Sequence, residues 1–143
     1  MKRIRIFGCQ GRDRRKALIR DATEFFRNKL LPRKRKLDIS IYLRKHLKKC
    51  YNVYGDCEVK DDTHSYVINL DLSLSNKDLI KTLGHEMIHV KQYAIGDLGM
   101  WGNKWCGKKY PIDMPYDDQP WEKEAMALED ILYYQYITTN MHK

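Results

Sequence analysis

Apolar and polar residues alternate strictly through Leu37-Asp38-Ile39-Ser40-Ile41-Tyr42-Leu43, a period of two that predicts a strand with one buried face. Tyr66, Ile68, Leu70 and Leu72 alternate in the same way from about Ser65 to Leu72. Ile4 and Ile6, set between Arg3 and Arg5, predict a short first strand. Val53, Cys57 and Val59 predict another, with Gly55 as a bulge or bend. Elsewhere the period becomes helical. Asp13 to Leu31 brings Leu18, Ala22 and Phe25 to one side, with Ile19, Phe26 and Leu30 as further inward candidates, and Pro32 stops the run. A second helix starts at Ser75, whose S-x-x-D spacing to Asp78 is that of a capping box. Leu79, Leu83, Met87, Val90 and Ala94 form its apolar stripe, and Gly96 falls where a helix-ending glycine belongs. Asp117 and Asp118 are expected to cap a third helix with Pro120 in its first turn, running to about Ile137 with Trp121, Ala125, Leu128 and Leu132 inward. Arg44 to Cys50 reads equally as loop or short helical turn. Asp97 to Asp118 is a long connection rich in Gly, Trp, Tyr and Pro, with a small hairpin expected between Met100 and Tyr110.

The second helix carries the chemistry. Within its stripe stands His85-Glu86-Met87-Ile88-His89. Residues four apart share a helix face, so both imidazoles can point at one ion. Glu86 lies about 100° further round, where it reaches a water at that ion without being a ligand. This is the H-E-x-x-H pattern of zinc metallopeptidases, in which the ion acidifies water and the glutamate acts as general base. Gly84, next to His85, costs a helix about 1 kcal/mol relative to alanine, and is expected to admit the close approach of a strand or substrate. A tetrahedral catalytic zinc needs a third protein ligand and an open position. The candidates for that ligand lie in Gln119-Pro120-Trp121-Glu122-Lys123-Glu124-Ala125.

With both motifs in view, residues 65 to 135 resemble the gluzincin branch of the zincins, and most closely the small one-domain SprT-like or minigluzincin-like metallopeptidases of phages and bacteria. The resemblance implies a zincin-like α+β fold: a mixed or antiparallel sheet of three or four strands, packed on the active-site helix, with N-terminal and C-terminal helices. Matching the family's E-x-x-A assigns the third ligand to Glu122, with Ala125 as the small residue between two helices. Glu124 is about 200° from Glu122 on a helix, so the two cannot face one metal. The metal set implied is His85, His89 and Glu122, the cofactor Zn2+, and the substrate a peptide or protein. In zincins the strand before the motif helix is usually a sheet edge that takes the substrate as an added strand, a role that would fall to Ser65–Leu72. The chain departs from the family in two ways. Met126 stands where the family has an aspartate that orients a ligand histidine, and Glu129, on the same helical face as Glu122, is the available substitute. There is also no C-x-x-C pair, and so no zinc ribbon of the SprT kind. A further donor for the developing oxyanion is expected from the long connection, Tyr110 or Tyr116.

Charge adds a second theme. Residues 1–36 hold fourteen Lys/Arg against three Asp/Glu, while the remainder holds thirteen against sixteen. Arg33-Lys34-Arg35-Lys36 and the Arg-rich face of the first helix are a candidate contact for nucleic-acid phosphates, and equally a solvated face that keeps the protein soluble. The four cysteines are scattered and read as free thiols. His46, His64 and His142 are expected at the surface. No apolar run is long enough to span a membrane, and Met1 to Gly8 lacks the apolar stretch of a signal peptide, so a single cytoplasmic, monomeric domain over 1–143 is expected.

Overall fold

The computed structural model describes residues 2–60 and 64–140; His142 lies outside them. In chain order the elements are β1 (Lys2–Phe7), α1 (Asp13–Leu30), β2 (Leu37–Arg44), α2 (Leu47–Tyr51), β3 (Gly55–Val59), β4 (Ser65–Asp71), α3 (Asn76–Ala94), the hairpin strands β5 (Lys104–Trp105) and β6 (Lys108–Lys109), and α4 (Pro120–Asn140). β1, β2, β4 and β3 make a mixed sheet in that order. The first three are parallel and β3 runs antiparallel to β4. The register follows from the alternating apolar residues. Ile6, Ile41, Ile68 and Cys57 form one cross-sheet row, and Ile4, Ile39, Tyr66 and Val59 another. A one-residue slip would turn either row away from the helices. α1 lies over β1, and α3 lies over β3 and β4. The two helices touch each other, and α4 closes over α3.

Several expectations change. β4, the strand before the motif helix, is not an edge. It pairs with β2 on one side and β3 on the other, and its last residues, Asn69 to Asp71, are buried on both faces of the sheet. The edge is β3. Gly55 is neither bulge nor bend but the first, regularly paired residue of β3. A Cβ there would meet the Thr82 methyl at 2.7 Å, so the missing side chain lets the edge strand close down on α3. Gly84 admits neither strand nor substrate. It faces the Phe26 ring of α1, which a Cβ would meet at 3.4 Å.

On α1 the fully buried apolar residues are Ile19, Ala22 and Phe26, while Leu18, Phe25 and Leu30 are half-buried. The helix is turned so that Thr23 and Arg27 also face inward. Ser75 caps α3 as expected, accepting from the Asp78 N–H, and Gly96 follows its end at φ 84°. Asp117 and Asp118 do not cap α4. They belong to a one-turn 3-10 helix, Tyr116–Asp118, and the Gln119 carbonyl accepts from Glu122 and Lys123 ahead of Pro120. α4 runs three residues beyond Ile137, to Asn140. The hairpin turns at Cys106 and Gly107, both at positive φ. Among the described residues no helix is long and apolar enough to cross a membrane.

Candidate metal centre

α3 meets α4 along the motif face. His85, Glu86 and His89 are buried there although polar, so each needs partners. His85 Nε2 and His89 Nε2 lie 2.9 and 3.0 Å from the same atom, Glu122 Oε1. The two rings stand nearly at right angles, with centroids 4.9 Å apart. One ligand atom from each of the three residues falls within 4.8 Å of the others. The structure thus brings together His85, His89 and Glu122, a group able to hold a metal ion. Glu124 points elsewhere, accepting at 3.1 Å from the side-chain amide of Gln92.

The other nitrogen of each imidazole is also engaged. His89 Nδ1 donates to Gln92 Oε1 at 2.7 Å, and His85 Nδ1 lies 3.5 Å from Glu129 Oε1. Each contact turns the Nε2 toward Glu122 and favours the tautomer in which that atom can ligate. Glu129 therefore stands in the orienting position the sequence suggested for it. Gln92 was not anticipated. It is fully buried, three residues after His89, and its amide also donates to the Trp121 carbonyl at 2.9 Å. One side chain thus positions a candidate ligand on α3 and ties down the turn of α4 that carries Glu122. Its sequence signal was a polar residue inside the buried stretch of an amphipathic helix, one turn beyond the motif.

The electrostatics follow from this packing. Burial opposes charge on His85, but its hydrogen bonds to Glu122 and Glu129, with Glu86 nearby, hold its pKa up at about 10. His89 is raised in the same way, against burial, by Glu122 and Glu86. Burial works against the Glu122 carboxylate too, yet the two imidazoles and the Tyr116 hydroxyl keep its pKa at about 2. Glu86 has no such support. Burial lifts it to about 7, partly offset by the two histidines. In this form protons on the imidazoles provide the positive charge at the centre of the group, where a cation would fit.

A cleft of about 670 Å³ opens on the group, lined by residues 52–57 on one wall and by Tyr116, Glu122, Met126 and Glu129 on the other. Glu86 faces it. Of the two candidate tyrosines, Tyr116 reaches the site, its hydroxyl 3.3 Å from His85 Nε2; Tyr110 packs edge-on against Trp121 instead. His46 is exposed, as expected, whereas His64, just before β4, is half-buried; neither joins the group. The cysteines are free thiols. No family model, curated protein or solved structure matches the chain.

Proposed function

We propose that the protein is a zinc-dependent peptidase of the gluzincin kind, with His85, His89 and Glu122 as metal ligands and Glu86 as general base. The observation that carries this reading is the convergence of two imidazole nitrogens on one carboxylate oxygen, beside a buried glutamate, in an open cleft. The donor set fits the ion: two neutral imidazoles and one carboxylate are a catalytic zinc set, and three protein ligands leave a position free. When bound, zinc would supply the acidification of a water and the polarisation of a carbonyl.

The chain's own residues account for the rest. Glu86, buried beside the two histidines and facing the cleft, is placed to take a proton from the attacking water and to return it to the leaving amine. The Tyr116 hydroxyl, on the opposite wall, can donate to the carbonyl oxygen as charge develops there. β3 supports a peptide substrate, because its outer edge is unpaired within the sheet and borders the cleft. An extended peptide added to that edge would be held by main-chain hydrogen bonds, which is how a protease accepts many sequences.

A peptide-library digest by the zinc-loaded protein tests the reading, with Glu86→Gln at matched zinc content as comparator. We expect cleavage by the wild type and a fall of roughly 10²–10⁴-fold in the variant. Equal cleavage by both would remove Glu86 from the mechanism, and no cleavage by the wild type would remove the activity.

A further inference from the structure

The N-terminal positive charge is not a uniform solvated face. Arg15 reaches across to the Leu72 and Leu74 carbonyls, and so ties α1 to the turn before α3. Arg20 and Arg27 do something different. With Arg3, Glu24 and Asn28 they line a cavity of about 460 Å³ between α1 and the free edge of β1. Arg20 donates to the edge carbonyl of Ile4 at 2.8 Å. Arg27, only 3% exposed, donates to Asn28 Oδ1 at 2.7 Å and to the Lys34 carbonyl, and its Nε is buried without a hydrogen-bond partner. Every acceptor named is neutral. Among the described residues no ion pair joins any of these arginines to a carboxylate. Three arginines therefore line the cavity against one carboxylate, that of Glu24, and one of the three is buried.

We propose that this cavity is a binding site for a phosphoryl group. A buried charge is costly unless an opposite charge meets it, and the neutral carbonyls here fix the guanidiniums without neutralising them. Guanidinium forks suit a tetrahedral oxyanion, and two of these are already oriented by the fold, so less order is lost on binding. The bond from Arg27 to Lys34 also brings the basic run Arg33–Lys36 to the rim. Its exposed side chains would extend the site to a polyanion. The same chemistry serves a free phosphate or nucleotide and the backbone of a nucleic acid, and a binding experiment separates these sources.

The full-length protein is titrated with inorganic phosphate by calorimetry and with a labelled random-sequence DNA duplex by anisotropy over a range of salt. Both are repeated with Arg3→Glu, an exposed residue with no role in packing, and with Arg33→Glu/Arg35→Glu at the rim. Thermal melting checks that each variant is folded. We expect Arg3→Glu to weaken whichever ligand binds by about tenfold or more. If the duplex binds, phosphate competes with it, and the slope of log K against log salt becomes shallower by about 0.9 for each DNA phosphate that the variant no longer neutralises. Phosphate binding without duplex binding identifies a small phosphorylated ligand at the same site. Wild-type affinity in Arg3→Glu, duplex binding abolished only in the rim variant, or no binding of either ligand would each overturn the site.

Discussion

Two seams of this molecule bury charge, and they handle it in opposite ways. Between α3 and α4, both imidazole Nε2 atoms converge on a carboxylate, and the outer nitrogens rest on Gln92 and Glu129. Between α1 and β1, guanidiniums are held by backbone and amide oxygens, with no charge of opposite sign bound to them. Partners therefore indicate what each seam suits. Acceptors gathered around protonated nitrogens, with a further carboxyl alongside, form a seat for a cation. Cations fixed by neutral acceptors form a seat for an anion. Burial alone does not separate the two; the identity of the hydrogen-bond partners does.

The sharpest way to break this comparison is to remove a partner that is not itself a ligand. Gln92→Leu takes away the group that orients His89 and anchors the first turn of α4. We expect zinc affinity, measured by competition with a chelator, to fall by about 10–100-fold. Gln92→Glu restores an acceptor for His89 Nδ1 but faces Glu124, and should recover only part of the loss. Unchanged affinity in Gln92→Leu would mean that the α3–α4 seam is ordered by packing rather than by its polar partners.

A second test uses pH. In the metal-free protein His85 is raised from 6.5 to about 10, His89 is raised, and Glu86 is raised from 4.5 to about 7. Stability from raised groups is complete below their ordinary pKa and is lost as pH climbs through the folded value. Glu122, lowered from 4.5 to about 2, contributes above 4.5 and loses that contribution as pH falls toward 2. These four groups together make the metal-free protein more stable near pH 5.5 than near pH 9. Zinc displaces the imidazole protons, so its stabilising effect should grow over the same interval. Melting curves with zinc and with chelator at the two pH values would show both trends. A chelated protein that melts higher at pH 9 would contradict the protonated arrangement.

The smallest expected effect separates the motif helix's packing from its chemistry. Gly84→Ala places a methyl at ordinary contact distance from Phe26, and alanine favours a helix by about 1 kcal/mol. Melting should rise slightly, with zinc content unchanged. A loss of zinc would indicate that α1 and α3 need the glycine to set the ligands.

How much of this was legible in the sequence depends on whether the signal was local. Period-two alternation placed β2 and β4, and helical spacing with a capping serine placed α3, because both depend on neighbours along the chain. His85, Glu86 and His89 share one helix, so their relation was readable too. Glu122 needed a second motif 33 residues after His89; the helix angle allowed only one of Glu122 and Glu124 to face a metal, and family resemblance preferred Glu122. Strand order was not legible. Nothing in residues 55–59 or 65–71 states which strand lies outside, since that depends on crossover connections through α1 and the sheet. Gln92 was missed because a polar residue on a helix reads as surface until the partner helix is in place. The arginines misled for the converse reason: charge in a sequence looks solvated, and only the fold reveals that Arg15, Arg20 and Arg27 are engaged by carbonyls.

The central claim is that His85, His89 and Glu122 hold a zinc ion, and metal analysis of the purified protein beside His89→Ala tests it most directly. The account predicts one zinc per chain in the wild type, and little in the variant after passage over a chelating column that leaves the wild type loaded. Zinc retained undiminished by folded His89→Ala, or a wild type that binds none when zinc is supplied, would contradict it.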